Sequence, residues 1–112
     1  MKESSDLQTC RVILTGGNIR NNHFYLRGCE SIIPTGGIGG KNSADAGRQF
    51  TVIFEPGSVT ETDVDGAKMI LRNRKAVREF LERSGAVEGD HVRIAQTAER
   101  ELTVTLQPQA VS

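Results

Sequence analysis

The side chains best suited to directional chemistry are concentrated in the polar segment at residues 17–23, GNIRNNH. Its candidate binding residues are Asn18, Arg20, Asn21, Asn22 and His23. Asn and Arg carry forked donors and acceptors that pair bidentately with the edges of adenine and guanine in the major groove of DNA. Gly and Asn also supply the positive φ angles of tight turns, so a solvated hairpin connection is the alternative interpretation.

A second group of polar residues surrounds the turn signal Asp65-Gly66. Residues 55–65 carry four acidic groups and no basic one, whereas residues 68–83 carry six basic and two acidic groups. The candidate contacts in this region are Asp65, Lys68, Arg72, Asn73 and Arg74. Basic side chains in such a cluster hold phosphates, although a run of charge also decorates the outer face of many helices. The acidic pair Asp63 and Asp65 falls in a predicted turn, where carboxylates are common.

The residue types needed for catalysis or metal binding are sparse. Only His23 and His91 are available as bases, and no Ser or Cys lies in an activating motif. These histidines and the cysteines Cys10 and Cys29 lack the paired spacing of a zinc site. We therefore expect no enzyme activity from this chain alone, no cofactor and no bound metal.

The glycine-rich stretch at residues 31–40, SIIPTGGIGG, predicts a compact irregular segment. A phosphate-binding loop ending at Gly40-Lys41 would need a glycine at Thr35 and a Ser or Thr at Asn42. The spacing of a dinucleotide-binding fingerprint is absent as well. The stretch therefore does not predict a nucleotide site.

Length and composition predict one domain. The 112 residues carry 14 basic and 14 acidic groups, so the net charge does not indicate a nucleic-acid partner. Only the local clusters of basic residues point to one. Two cysteines are too few for a secreted disulfide framework, and no apolar run reaches the roughly 20 residues of a membrane span. We expect a cytoplasmic protein with both cysteines reduced. Residues 1–10 are expected to be a flexible N-terminus, 11–106 the domain and 107–112 a tail.

Apolar periodicity predicts a mainly β protein with one or two short helices, an α+β chain whose seven strands form a small open barrel. The predicted strands are residues 11–15, 23–27, 50–54, 59–64, 68–71, 91–95 and 101–106. The helix is predicted over residues 74–83, with Asn73 as its cap and Ser84-Gly85 as its stop. Val77, Phe80 and Leu81 form the stripe of this helix that should face the sheet.

The order of these motifs resembles the B3-like DNA-binding pseudobarrel. The motifs are, in chain order, LTGGNIRNNHFYL, IIPTGG, FTVIF, the Asp65-Gly66 hairpin and KAVREFLERSGAVEGDHVRI. The family includes plant B3 transcription-factor domains and the effector domains of some bacterial restriction endonucleases. The resemblance covers residues 11–106. This chain has no Trp, and Ala76-Val77 replaces the Gly-Trp pair of plant members, so the bacterial branch is the more similar one.

The resemblance implies two loops that grip the major groove. They are the N-arm, residues 17–23, in which Asn22-His23 matches the Asn-Arg of plant members, and the C-arm, residues 65–69, in which Lys68 is the only basic residue. Arg72, Asn73 and Arg74 follow the C-arm, where their charge favours phosphate contacts.

Together the residues and the resemblance predict a sequence-specific module that binds double-stranded DNA, either alone or as the targeting domain or partner of a restriction nuclease or methyltransferase subunit. The alternative is a small barrel that binds a protein or a ligand through its loops and has no role with nucleic acid.

Overall fold

The structure, a computed structural model, describes residues 8–108, and most of its regular elements are β-strands. In chain order the strands and α-helices are β1 Thr9–Ile13, α1 Gly16–Arg20, β2 Ile38–Gly39, β3 Phe50–Glu55, β4 Val59–Thr62, β5 Val64–Asp65, β6 Ile70–Leu71, α2 Arg74–Ser84, β7 His91–Ala98 and β8 Glu101–Gln107. Short 3-10 helices lie at Glu30–Ile32 and Ser43–Asp45. The predicted mainly β class with one or two helices is confirmed, and the structure has two α-helices.

The larger sheet has five strands in the order β1-β7-β8-β3-β4. The hairpin of β7 and β8 supplies its centre, and β8 also pairs with β3 in parallel, with Thr51 opposite Glu101 and Glu55 opposite Thr105. The other pairings in this sheet are antiparallel. Val52, Ile94 and Val104 lie on its buried face, so the inward residues that alternation predicts for these strands are confirmed.

The smaller sheet has three strands in the order β2-β5-β6. Its β5 and β6 form the hairpin that the Asp65-Gly66 signal predicts, although each strand is only two residues long. The chain passes from the larger sheet to the smaller one through a single buried residue, Asp63, between β4 and β5. One predicted strand over residues 59–64 is therefore two strands in different sheets.

Helix α2 covers one side of the larger sheet. Asn73 caps it by accepting a hydrogen bond from the Ala76 amide, and Gly85 ends it with a φ of 69°. Both the cap and the stop are confirmed. Phe80 is fully buried, and its ring centroid lies 5.6 Å from that of Phe54 on β3. The helix therefore joins the sheet through an aromatic pair at the centre of the core.

Residues 23–27 differ from the prediction, because they form no strand and Arg27 lies in a turn. Phe24 and Leu26 are both 1% exposed, as the alternation predicts. The segment has no neighbouring strand to pair with, and a single bond from the Leu26 amide to the Met69 carbonyl, at 2.7 Å, links it to the C-arm. The glycine-rich stretch, predicted to be irregular, in turn supplies the short strand β2.

The chain boundaries also differ from the prediction. Strand β1 begins at Thr9, inside the segment expected to be flexible, and Gln107 belongs to β8 and not to a tail. Residues 1–7 and 109–112 lie outside the described part, so the rest of those two expectations is not addressed. No helix within residues 8–108 is long and apolar enough to cross a membrane.

The cysteine prediction is wrong. Cys10 on β1 and Cys29 form a disulfide, with their Cα atoms 5.7 Å apart. They are 19 positions apart in the sequence. The count of cysteines argued against a disulfide framework, but a pairing depends on the distance between two side chains in the fold.

Candidate functional site

The N-arm begins with a helix where a loop was expected. Helix α1 starts with a capping box, in which the Thr15 hydroxyl accepts a bond from the Asn18 amide and the Asn18 side-chain oxygen accepts one from the Thr15 amide. These two bonds satisfy donors that a helix start otherwise leaves open. Asn18 is only 4% exposed, so its side chain shapes the N-arm from inside and does not face a partner.

The second half of the N-arm turns outward. Asn21 is exposed at the end of α1, and its side-chain amide donates to the Gly17 carbonyl at 2.9 Å. Asn22 has a φ of 57°, a left-handed conformation that Asn tolerates better than most residues. This turn brings His23 back against the helix, where its amide donates to the Asn18 carbonyl at 3.1 Å.

The C-arm is a four-residue hairpin turn organised by Asp65. The Asp65 carbonyl accepts a bond from the Met69 amide at 2.7 Å, and its carboxylate accepts one from the Ala67 amide at 2.9 Å. Asp65 therefore builds the turn with the groups that it would otherwise offer to a partner. Lys68 is exposed at the tip of this turn.

Two hydrogen bonds bring the N-arm region, the C-arm and the start of α2 together. Besides the bond between Leu26 and Met69, the guanidinium of Arg74 donates to the Asn21 carbonyl at 2.5 Å. Arg74 is the first residue of α2, so this bond joins that helix to the exposed end of the N-arm. Residues from three separate parts of the sequence thus form one surface.

His23 lies within the electrostatic reach of both basic residues of this surface. Burial lowers the pKa of His23 below its usual 6.5, and the positive charges of Arg74 and Lys68 lower it further. The ring is therefore neutral at pH 7, with one nitrogen as a donor and the other as an acceptor. Within residues 8–108, its Nδ1 is the buried side-chain polar atom that lacks a hydrogen-bond partner.

Tyr25 and Arg27 extend this surface, and the sequence interpretation did not include them. The Arg27 guanidinium lies 5.0 Å from the centroid of the Tyr25 ring, and the Tyr25 and His23 rings are also 5.0 Å apart. Because Phe24 and Leu26 point inward, His23, Tyr25 and Arg27 follow one another on the outer face. The alternation that predicts Phe24 and Leu26 to be buried also places Tyr25 and Arg27 on the opposite, outward side of the segment.

Arg72 and Asn73 have internal partners. Arg72 forms an ion pair with the buried Asp63 and donates to the Gly40 carbonyl at 2.7 Å. The side chain of Asn73 caps α2 and donates to the Thr60 hydroxyl at 2.8 Å. Both residues hold elements of the fold together, which a charge pattern in the sequence does not reveal.

Arg20 is exposed at the end of α1, close to an acidic residue. A Cβ atom built on Gly16 would lie 3.1 Å from the Arg20 Nη1 atom and 3.4 Å from the Glu88 Oε1 atom. The Arg20 guanidinium and the Glu88 carboxylate therefore both lie beside Gly16 at the start of α1.

Beside the N-arm, α1 and the end of α2 enclose an open groove of about 340 Å³, lined by Ile19, Asn22, Leu81, Glu82, Gly85 and Ala86. It has mixed polarity and one acidic side chain. No group of three or more metal-ligand side chains occurs among the residues that the structure describes.

Comparisons of the chain with protein-family models, with curated proteins and with solved structures find no match.

Proposed function

We propose that this chain is a sequence-specific module that binds double-stranded DNA, and that its two sheets are a B3-like open pseudobarrel. The observation that carries the proposal is the convergence of the N-arm, the C-arm and the start of α2: Arg74 donates to the Asn21 carbonyl, and the Leu26 amide, just after the N-arm, donates to the Met69 carbonyl of the C-arm. Exposed Asn and Arg side chains beside two cations form the mixture of forked and charged groups that DNA binding uses.

The surroundings of each residue suggest which residues read bases and which contact phosphates. Asn21, Asn22 and His23 are the proposed base readers, because they lie on the outer half of the N-arm and His23 is neutral. Lys68 and Arg74 are the proposed phosphate contacts. Arg27, which rests on the Tyr25 ring, is a further phosphate contact whose position is partly fixed before binding.

Four residues of the sequence prediction take internal roles in this proposal. Asn18, Arg72 and Asn73 position the arms and α2 through the capping box, the ion pair and the helix cap. Asp65 shapes the C-arm, and a carboxylate there also repels misplaced phosphates. The module acts by binding alone, and a nuclease or methyltransferase subunit of a restriction system is its proposed partner.

The proposal is tested by selecting duplexes from a random pool and titrating the enriched sequence at several salt concentrations. The variant Asn22→Gly removes the side chain and keeps a residue that accepts a φ of 57°. We expect it to lose roughly 1–3 kcal/mol of discrimination between sequences while weak binding to any duplex persists. Lys68→Ala should weaken binding to all duplexes alike and reduce the salt slope by about one unit.

The matched control is Arg78→Ala, which removes one positive charge on the exposed face of α2, where Arg78 pairs with Glu82. It should leave both the sequence preference and the salt slope almost unchanged. If wild-type protein enriches no sequence and binds duplex no better than Lys68→Ala does, the DNA proposal fails. The alternative, a loop surface that binds a protein or a ligand, would then be preferred.

A further inference from the structure

The disulfide between Cys10 and Cys29 lies at the base of the N-arm. Cys10 is on β1 in the larger sheet, and Cys29 immediately precedes the 3-10 helix Glu30–Ile32. The bond closes a loop that contains the whole of the N-arm and the outward row from His23 to Arg27. The covalent ring closed by the disulfide therefore contains four of the proposed DNA contacts, Asn21, Asn22, His23 and Arg27.

Hydrogen bonds fix the two ends of this loop differently. At its start, the Leu14 amide donates to the Asp90 carbonyl at 2.8 Å and the Gly89 amide donates to the Leu14 carbonyl at 2.9 Å, which continues the larger sheet. At its end, the Cys29 amide donates only to the nearby Leu26 carbonyl, and Leu26 is bonded to Met69 of the smaller sheet's hairpin. The disulfide thus adds a covalent link between the end of the loop and the larger sheet to the burial of Phe24, Leu26 and Cys29 in the shared core.

We propose that Cys10 and Cys29 are a thiol–disulfide exchange site through which small cellular thiols of the glutathione class control the order of the N-arm and, through it, the affinity for DNA. This inference rests on the proposed function for its effect on DNA, but its effect on the N-arm does not. In the oxidised state the N-arm is already ordered, so it loses less conformational entropy when it binds DNA.

The exposure of the two cysteine residues sets the order of the chemistry. Cys29 is 1% exposed and Cys10 is partly exposed, so an external thiolate attacks the Cys10 sulfur. The bond between the protein sulfurs breaks, a mixed disulfide forms on Cys10, and the Cys29 thiolate leaves and takes up a proton. A second thiolate then attacks the small-molecule sulfur and releases Cys10, which is protonated in turn. Two electrons and two protons pass to the protein, and two small thiols become one small disulfide.

The test uses the wild-type chain equilibrated in oxidised or reduced glutathione. Trypsin cleaves after Lys2, Arg11, Arg27 and Lys41, so the unreduced digest of the oxidised protein should contain peptide 3–11 joined to peptide 28–41. In the reduced protein the two peptides should separate, and amide hydrogen exchange over residues 18–33 should be faster. Affinity for the selected duplex should fall about 2- to 12-fold, the range for ordering one mobile side chain on binding. The control, Cys10→Ala with Cys29→Ala, should give the same exchange rate and affinity in both buffers.

The outcomes separate the two proposals. Absence of the joined peptides after oxidation overturns the exchange site, and joined peptides with unchanged exchange over residues 18–33 overturn the control of the N-arm. Redox-dependent exchange with no DNA binding in either buffer supports the redox site and counts against the proposed function. An affinity that changes equally in the double variant shows that the glutathione acts elsewhere and overturns the inference.

Discussion

Arg72 and Asp63 meet in a two-point contact, with Arg72 Nε 2.7 Å from Asp63 Oδ1 and Arg72 Nη2 3.0 Å from Asp63 Oδ2. Asp63 is the residue at which the chain leaves the larger sheet, and Arg72 follows the last strand of the smaller one. The same carboxylate accepts a bond from the Gly47 amide at 2.6 Å, and the same guanidinium donates to the Gly40 carbonyl. The Arg72–Asp63 pair therefore connects the two sheets to each other and to the glycine-rich segment.

Replacing Arg72 with Ala should destabilise the fold by about 3–5 kcal/mol, because it leaves a buried carboxylate without its partner. Denaturant unfolding measures this loss. Arg78→Ala breaks an exposed pair with Glu82 on α2 and should cost less than about 1 kcal/mol. Equal losses in the two variants would contradict the structural role of Arg72.

The same pair predicts how stability depends on pH. Burial by itself would raise the pKa of Asp63, but the hydrogen bonds from Arg72 and Gly47 and the charge of Arg72 outweigh it and hold this pKa below 3.8. The stabilisation from the ionised carboxylate is complete above about pH 4 and is lost as the pH falls through the folded-state pKa. The difference in unfolding free energy between wild type and Asp63→Asn should therefore shrink below pH 3.8. A constant difference down to pH 2 would contradict this assignment.

Gly39 of β2 should not tolerate even one added methyl group. A Cβ atom there would collide with the Gly47 backbone nitrogen and lie 2.6 Å from the Asp63 Oδ2 atom. Gly39→Ala should cost about 1–3 kcal/mol, since a backbone neighbour cannot rotate away. Gly17→Ala in α1 has open space, with its nearest atoms at 3.8 Å, and should be neutral or slightly stabilising. Thermal unfolding of both variants checks the contrast.

Phe80→Ala should destabilise the protein by about 3–5 kcal/mol, because the ring is fully buried against the sheet and its removal leaves a cavity. Val87, which is 58% exposed, provides the comparison, and Val87→Ala should change the unfolding free energy by less than about 0.5 kcal/mol. Near-wild-type stability of Phe80→Ala would show that α2 does not pack on β3 through this ring.

His23 should titrate below pH 6.5 in an NMR experiment that follows its ring protons. Because burial, Arg74 and Lys68 all oppose its protonation, the unfolded chain binds this proton more readily, and stability falls as the pH drops below 6.5. Arg74→Ala and Lys68→Ala should each move the pKa part of the way back, while Arg78→Ala should not. An unchanged pKa in both the Arg74→Ala and Lys68→Ala variants would mean that these two cations lie farther from His23 than the structure places them.

The elements with strong local signals were predictable. Helix α2 has an apolar stripe, an Asn cap and a Gly stop, and β3, β7 and β8 alternate clearly. Helix α1 was missed because five residues with two glycines show no apolar period, although Thr15 and Asn18 already carried its capping box. Alternation over residues 23–27 indicated burial correctly, but it does not report whether a neighbouring strand exists.

The sequence indicates two polar loops and a basic cluster, but it does not indicate the internal contacts of their residues. The position of Arg72 depends on Asp63, and that of Asn18 on a bond back to Thr15. The signal for Tyr25 and Arg27 was present in the outward positions of the same alternation. The disulfide depends on a distance between two residues that are 19 positions apart, which spacing alone does not give.

The position of β8 has a consequence for synthesis on the ribosome. This strand separates β7 from β3 in the larger sheet, and its parallel partner lies about fifty residues earlier in the chain. A nascent chain that ends before residue 101 leaves one edge of β3 and one edge of β7 unpaired, and such edges recruit other chains. The free edge of β3 is therefore covered only after the hairpin of β7 and β8 has emerged from the ribosome. A stalled or shortened chain should depend on chaperones far more than the domain with β8 in place does.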